Sequence, residues 1–206
     1  MKNTLATLGV LSVLFASQAG AQTLPLSGKT IALDAGHGGG ETGAIGYCGV
    51  VSAVEADVNL AVRAALKLKL EGEGATVYEI RQLPTRKERV QDAENHGANV
   101  LISIHHNGST DLTADYTRSY VTQRNDKMLA LPIHKALVAA LKLPDKGIKS
   151  DGYGMTVYGS LPGVLTEAYF ITDTDGACDF VNNGNAGRVE IEAEAMRKGL
   201  VGYFSL

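Results

Sequence analysis

The stretch NVLISIHHN, residues 99–107, is an apolar run that ends in two adjacent histidines and an asparagine. A run of this length and character predicts a buried strand. Two other segments have the same character: KTIALDAGH at residues 29–37 and PGVLTEAYFIT at residues 162–172. Each of the three contains a histidine or a glutamate, so the segments expected to form the centre of a sheet also carry residues suited to chemistry.

Segments with helical periodicity alternate with these strands along the chain. The predicted helices cover residues 52–74, 83–98, 125–143 and 187–204, and the remaining predicted strands cover residues 75–81, 117–123 and 153–159. Ser52 is the expected cap of the first helix. This order implies an α/β fold, a single domain with a mostly parallel twisted sheet flanked by helices on both faces. Ligands in such folds bind at the carboxyl ends of the strands, where we expect the site.

The amino terminus has the pattern of a secretory signal peptide. Lys2 precedes an apolar run at residues 5–16, and an A-x-A cleavage site follows at residues 19–21. The run is shorter than the ~20 residues that a membrane-spanning helix needs. We therefore expect a signal peptide at residues 1–21 and a mature domain at residues 22–206. The mature domain is expected in the periplasm, outside the cell or at the cell wall, with no stable membrane insertion.

The net charge and the cysteine content limit the binding partners and the cellular compartment that we expect. The formal net charge of −3 at pH 7 provides no basic surface for nucleic acid. The 206 residues suit one domain with a sizeable core. The two cysteines, Cys48 and Cys178, suggest a disulfide bond in an exported chain, and two unpaired thiols remain the alternative.

The glycine-rich stretch DAGHGGGETG, residues 34–43, admits two interpretations. Residues 38–43 match the G-x-G-x-x-G pattern of a dinucleotide-binding loop, but Gly46 and Gly49 prevent the immediate entry into a helix that pyrophosphate binding requires. Glu79 lies too far along the chain to be the ribose-binding acid. We therefore favour the second interpretation, in which the glycines let the backbone bend so that His37 reaches a ligand such as a metal.

The predicted topology brings several polar residues to one edge of the sheet. His37 follows the first strand, His105 and His106 end the third, Glu55 lies in the first turn of the first helix, and Glu167 lies in the last strand. Each residue alone has a structural explanation, such as a helix-terminal charge or a core histidine. Together, two imidazoles and a carboxylate match a zinc site with a position left for water, and a further carboxylate can act as general base.

Four segments resemble a known family in order and spacing. IALDAGHGG, VEADVNLA, LISIHHN and GVLTEAYFIT are similar to the motif regions of the zinc-dependent N-acetylmuramoyl-L-alanine amidases of the amidase-3 family, over residues 29–204. The resemblance implies one Zn²⁺ per chain, bound by His37, Glu55 and His105, with Glu167 activating the water. It also implies hydrolysis of the amide that joins N-acetylmuramic acid to L-alanine in peptidoglycan or muropeptides.

Besides the variant Ala168-Tyr169-Phe170 of the last motif, two residues in the histidine motifs depart from the family pattern, and the neighbouring Asp34 has an open role. Ala35 stands where the first motif usually has proline, and His106 stands beside the expected ligand His105, where a small or varied residue is usual. Because successive side chains on a strand point to opposite faces, only one of the two histidines is expected to reach the metal. Asp34 is a candidate partner for an imidazole N–H or a cap of the glycine turn.

The interval between His105 and Glu167 bears on access to the site. Some relatives carry an insert there that covers the active site, whereas predicted strands and a helix already fill the interval here. We therefore expect an open cleft, activity without an activator, and a monomer or weak dimer.

Two other functions remain open at this point. One is a zinc peptidase that acts on peptidoglycan stem peptides, and the other is an inactive wall-binding module. A nucleophilic hydrolase is disfavoured because Gly159-Ser160 does not belong to a G-x-S-x-G elbow.

Overall fold

The computed structural model describes residues 23–150, 152 and 154–206. The expected signal peptide, residues 1–21, lies outside the described residues. Within the described ranges, no helix has both the length and the apolar character that crossing a membrane requires.

Eight strands and five α-helices occur in the described part of the chain. In chain order they are β1 (Thr30–Ala35), β2 (Ile45–Cys48), β3 (Val51–Val54), α1 (Glu55–Gly72), β4 (Thr76–Glu79), α2 (Arg86–Asn95), β5 (Val100–Asn107), β6 (Thr117–Val121), α3 (Arg124–Leu141), β7 (Asp145–Ser150), β8 (Gly163–Phe170), α4 (Thr174–Asn183) and α5 (Arg188–Phe204). A 3-10 helix, Gly154–Val157, precedes β8.

Six of the strands form one sheet in the order β4-β1-β5-β8-β6-β7. The pairs β1–β4, β1–β5 and β5–β8 are parallel, and so is β6–β7, whereas β6 runs antiparallel to β8. The sheet is therefore mostly parallel, as the alternation of strands and helices predicts. Because β1, β5 and β8 are neighbours and run in the same direction, their carboxyl ends meet at one edge.

Helices cover both faces of this sheet. α1, α3 and α5 pack over the larger core, to which Leu33, Ile102 and Val164 contribute from the strands. α2 and the 3-10 helix cover the other face, over a smaller apolar cluster that includes Ala32 and Leu101. The predicted α/β architecture is confirmed.

Alternation along β5 separates the two adjacent histidines. Ile102 and Ile104 belong to the larger core, and His106 continues that series as a buried side chain. Leu101 belongs to the cluster under α2, and His105 continues that series. The two imidazoles therefore face opposite sides of the sheet, as the period of a strand requires.

The first helix begins differently from the prediction. Residues 51–54, including Ser52, pair with β2 in an antiparallel hairpin instead of starting the helix, so the predicted Ser52 cap is wrong. The free N–H groups of Glu55 and Ala56 donate instead to the carbonyls of Ala44 (2.9 Å) and Thr42 (3.0 Å). Backbone carbonyls at the end of the glycine-rich stretch and directly after it thus serve the capping role that a side chain usually has.

The predicted strand at residues 153–159 is also wrong. Gly154 and Gly159 have φ values of +67° and +73°, which an extended strand does not accommodate, and Gly154–Val157 is a 3-10 helix. The strand in this region is β7, which precedes the predicted segment, and α4 after β8 was not predicted.

A disulfide bond joins Cys48, at the end of β2, to Cys178 in α4, with 4.7 Å between the Cα atoms. This pairing confirms the expected bridge. It fastens the β2–β3 hairpin to the helix that follows β8, and the hairpin leads directly into Glu55 at the start of α1.

Replacing both cysteines by serine should lower the free energy of unfolding by about 4–5 kcal/mol, because the bridge closes a loop with a sequence separation of 130 residues. Urea denaturation of the oxidised parent and of the double variant measures the difference. The parent treated with a reductant is the control and should match the variant. Two reactive thiols in the denatured, unreduced parent would contradict the bridge.

Candidate metal centre

Three side chains from separate segments converge at the carboxyl edge of the sheet. His37 follows β1, Glu55 is the first residue of α1 and His105 lies in β5, and their potential ligand atoms all lie within 4.8 Å of one another. Glu55 Oε1 lies 3.1 Å from His37 Nε2 and 3.1 Å from His105 Nδ1. The two imidazole rings meet edge to face, with centroids 4.9 Å apart. The residues expected to bind a metal are therefore brought together.

Glycines allow this close approach. A Cβ atom on Gly36 would lie 2.2 Å from the His105 ring, and a Cβ atom on Gly43 would lie 2.4 Å from Glu55 Oε2. His37 itself has a φ of +63°, a conformation that a non-glycine residue rarely adopts unless its surroundings hold it. The glycine-rich loop thus serves tight packing around these three side chains, which agrees with the second interpretation of the sequence.

The carboxylate of Glu55 is buried and heavily hydrogen-bonded. Oε2 accepts the Ala44 N–H at 2.9 Å, and Oε1 accepts the His106 N–H at 3.1 Å. Burial opposes the charged carboxylate, but the hydrogen bonds with His105 and His37 outweigh it, so the pKa of Glu55 lies well below its ordinary value. The hydrogen bond to Glu55 also raises the pKa of the His37 imidazole.

Glu167 has the opposite electrostatic environment. It lies beside His105 in the register of β5 and β8, it is buried, and its Oε2 atom has no hydrogen-bond partner among the described residues. Burial raises the pKa of Glu167 well above its ordinary value, and the charges of Glu55 and Glu192 add to the effect. A carboxyl group with this preference for its protonated form is suited to accepting a proton in a reaction.

A cleft of about 580 Å³ opens over these residues. Its lining includes Arg86 and Arg89 of α2, together with Met155 and Tyr158. The side chains of His37 and His105 keep 29% and 17% of their surface exposed, so the imidazoles remain accessible from the cleft. Glu167 also lines the cleft.

Asp34 does not contact an imidazole as one prediction had it. Its Oδ2 accepts the Ser103 hydroxyl at 2.8 Å, and its Oδ1 accepts from Arg89 at 3.2 Å. Because Ser103 lies in β5 and Arg89 in α2, this buried carboxylate fastens the helix to the edge of the sheet beside the cleft.

The predictions missed the residues around His106. Its Nδ1 lies 2.7 Å from Asn59 Oδ1 in α1, and its Nε2 lies 2.9 Å from Glu192 Oε2 in α5. All three side chains are buried. One sequence signal could have identified Asn59 and Glu192: each is a polar residue beside an apolar, buried position of its helix. Asn59 follows Val58, and Glu192 precedes Ala193.

The donor set fits zinc. Two imidazole nitrogens and one carboxylate oxygen are among the three-ligand combinations of catalytic zinc sites, in which a water molecule takes the fourth position. The close packing of Gly36 and Gly43 and the unpartnered oxygen of Glu167 are consistent with a site built around an ion and a reactive water.

A family model and two curated relatives match this chain over most of its length. A family model described as Amidase_3, N-acetylmuramoyl-L-alanine amidase, matches residues 31–186. The protein YqiI of Bacillus subtilis is 34% identical over 186 residues, with 87% of each chain covered. N-acetylmuramoyl-L-alanine amidase LytC of the same organism is 32% identical over 187 residues, which cover 87% of this chain and 36% of LytC.

Solved structures share the fold. The catalytic domain of CwlV, an N-acetylmuramoyl-L-alanine amidase of Bacillus (Paenibacillus) polymyxa var. colistinus, superposes with a TM-score of 0.77 at 26% identity, covering 86% of this chain and 98% of that domain. An N-acetylmuramoyl-L-alanine amidase of Clostridium difficile 630 gives a TM-score of 0.77 at 25% identity, covering 86% and 97% of the two chains. The family match spans most of the sheet and includes all four candidate site residues: the chain belongs to the Amidase_3 family of N-acetylmuramoyl-L-alanine amidases.

Proposed function

We propose that this protein is exported and hydrolyses the amide bond between N-acetylmuramic acid and L-alanine in peptidoglycan. In this proposal His37, Glu55 and His105 bind one Zn²⁺ ion, and Glu167 is the catalytic base. The observation that carries it is the convergence, at one cleft of an amidase-family chain, of the His/Glu/His cluster and of Glu167, whose Oε2 atom has no hydrogen-bond partner in the described part of the chain. The signal-peptide pattern of residues 1–21 supports export.

The protein's own residues have distinct tasks in this reaction. Zinc, when bound, supplies Lewis-acid polarisation of a water molecule and of the amide carbonyl. Glu167 accepts a proton from the attacking water and returns it to the nitrogen of the departing L-alanine. Burial favours the protonated form of Glu167, which helps this residue to hold the proton between the two transfers. Glu55 stays ionised because its hydrogen bonds favour the carboxylate.

Product analysis tests the function. Purified protein loaded with zinc is incubated with peptidoglycan, and the new termini are identified by mass spectrometry. We expect free amino groups on L-alanine. A free amine elsewhere in the stem peptide would identify a peptidase, and binding without release would identify a wall-binding module. Either result would overturn the amidase proposal.

The same assay tests the need for a partner. The exposure of both imidazoles at the cleft indicates that substrate can reach the site directly, so we expect hydrolysis by the purified protein alone. Sedimentation analysis should give a monomer or a weak dimer. Peptidoglycan that stays intact until a second protein is added would contradict direct access.

The two glutamates should respond differently to substitution. Glu55→Ala removes a ligand, so it should lose both zinc and activity. Glu167→Gln keeps the ligands and removes the base, so it should retain one zinc per chain while activity falls by at least ~10²–10⁴-fold. Metal analysis after dialysis and amide hydrolysis, measured on both variants, separate the two roles. A Glu167→Gln protein with activity near that of the parent would contradict its role as base.

Substitution of Gly36 should act through the metal ligand. Gly36→Ala places a methyl group 2.2 Å from the His105 ring, so the imidazole must move and zinc affinity should fall by roughly 10–100-fold. Gly72→Ala is the matched control, because a Cβ atom there meets nothing within 4 Å. Competition with a chromophoric zinc chelator measures both variants. Equal affinities in the two variants would show that the close contact at Gly36 is unimportant for the site.

A further inference from the structure

A buried hydrogen-bonded chain lies behind the candidate metal centre. Asn59 Nδ2 donates to the Gly36 carbonyl at 3.0 Å, and Asn59 Oδ1 lies 2.7 Å from His106 Nδ1. His106 Nε2 lies 2.9 Å from Glu192 Oε2. The chain joins the loop after β1, helix α1, strand β5 and helix α5, and it lies on the face of the sheet opposite to the one under α2.

The direction of the hydrogen bonds in this chain follows from the donor and acceptor capacity of the groups it joins. The Gly36 carbonyl can only accept, so the amide group of Asn59 must donate there and its oxygen must face His106. Nδ1 of His106 therefore carries a hydrogen and donates it to Asn59. Between His106 Nε2 and Glu192 Oε2 a single proton is then shared, whichever of the two groups holds it. Only one orientation of the Asn59 amide satisfies both of its neighbours.

Two members of this hydrogen-bonded chain, Asn59 and His106, contact the segments that carry the proposed ligands. Gly36 precedes His37, whose left-handed backbone conformation must be held by its surroundings. The backbone N–H of His106 donates to Glu55 Oε1 at 3.1 Å, and Asn59 Nδ2 lies 3.5 Å from the same oxygen. Burying three polar side chains is costly unless they are hydrogen-bonded, and each of the three has a partner here, whereas the second oxygen of Glu192, Oε1, has none among the described residues. Here the hydrogen bonds reach the backbone of Gly36, next to the proposed ligand His37, and the carboxylate of the proposed ligand Glu55.

We propose that Asn59, His106 and Glu192 are positioning residues that hold the proposed ligands His37 and Glu55 in their binding arrangement. None of the three needs to touch the metal or the substrate. Glu192 fixes the His106 ring, the ring fixes the amide of Asn59, and the amide holds the Gly36 carbonyl beside Glu55. The inference rests on the proposed function, because it concerns affinity for the ion of that site.

Another buried histidine of the protein, outside this hydrogen-bonded chain, provides a matched control. His134 in α3 is also buried, with Nδ1 3.0 Å from the Ser119 hydroxyl and Nε2 2.9 Å from Asp145. This trio has the order of a nucleophilic triad, but Ser119 is fully buried, so substrate cannot reach it. None of the three lines the cleft. His134→Gln therefore disturbs a buried histidine that is paired with a carboxylate, here the exposed Asp145, without touching the proposed ligand segments.

Zinc affinity of the intact mature protein tests the proposal, by competition with a chromophoric chelator. Glu192→Leu and Asn59→Leu should weaken zinc binding by roughly 10–100-fold. Glu192→Gln should restore it to near the parent value, because the amide can donate to a neutral His106 Nε2 and leave the Nδ1 hydrogen in place. His134→Gln should bind zinc like the parent.

A second variant and a spectroscopic measurement separate positioning from folding. Asn59→Asp keeps an acceptor for His106 but sets an oxygen against the Gly36 carbonyl, so it should weaken zinc binding even if a leucine variant does not fold. In ¹⁵N-edited spectra, the imidazole Nδ1–H of His106 should be protected from exchange in the parent, in Glu192→Gln and in Asn59→Asp, and unprotected in Asn59→Leu, so that Asn59→Asp loses zinc affinity while its buried hydrogen bond to His106 persists.

The outcomes distinguish this proposal from the function on which it rests. If the parent binds one zinc and the Asn59 and Glu192 variants bind it equally tightly, the positioning role is wrong and the metal centre stands. If the parent binds no zinc at this cluster, the metal centre is wrong and the positioning role falls with it. If His134→Gln weakens binding as much as Glu192→Leu, the effect is general to the loss of a buried imidazole pairing and the proposal is overturned.

Discussion

The carboxylate of Glu55 is the point at which distant parts of the chain meet. Its two oxygens interact with both candidate ligand imidazoles, with the backbone of Ala44 and with the backbone of His106. A buried carboxylate is stable only when such donors surround it, so the loop after β1, the start of α1 and the end of β5 must be in place together. The disulfide bond fixes the β2–β3 hairpin, and backbone carbonyls cap the start of α1, so both also hold Glu55 in position.

Most of the frame that delivers these groups could be predicted from the sequence. A strand that is buried on both faces needs an almost unbroken apolar sequence, and such sequences indicate a parallel sheet. This is the case for β1, β5 and β8. Once the strands are parallel, His37, His105 and Glu167 must lie near the same edge. The two-residue period of a strand also separates His105 from His106 without any knowledge of tertiary structure.

Other features depend on contacts that no local pattern records. β7 is largely exposed and polar, and only its pairing with β6 makes it a strand. Residues 154–158 contribute Gly154, Met155 and Tyr158 to the cleft wall, and Gly154 and Gly159 have positive φ values, so the strand-like sequence pattern in this region was misleading. Asn59 and Glu192 are far apart in sequence, and their connection through His106 exists only in the folded chain. Of the residues around the site, those in recurring motifs were predicted and those that support them were not.

The most direct test of the metal centre is a crystal structure of the zinc-loaded protein with anomalous diffraction recorded at the zinc edge. We expect a single peak at about 2.0–2.2 Å from one nitrogen of His37, one nitrogen of His105 and one oxygen of Glu55. Glu167 should lie at the cleft without a bond to the ion. A peak bonded to Glu167 or His106, or a peak away from this cluster, would contradict the arrangement described here.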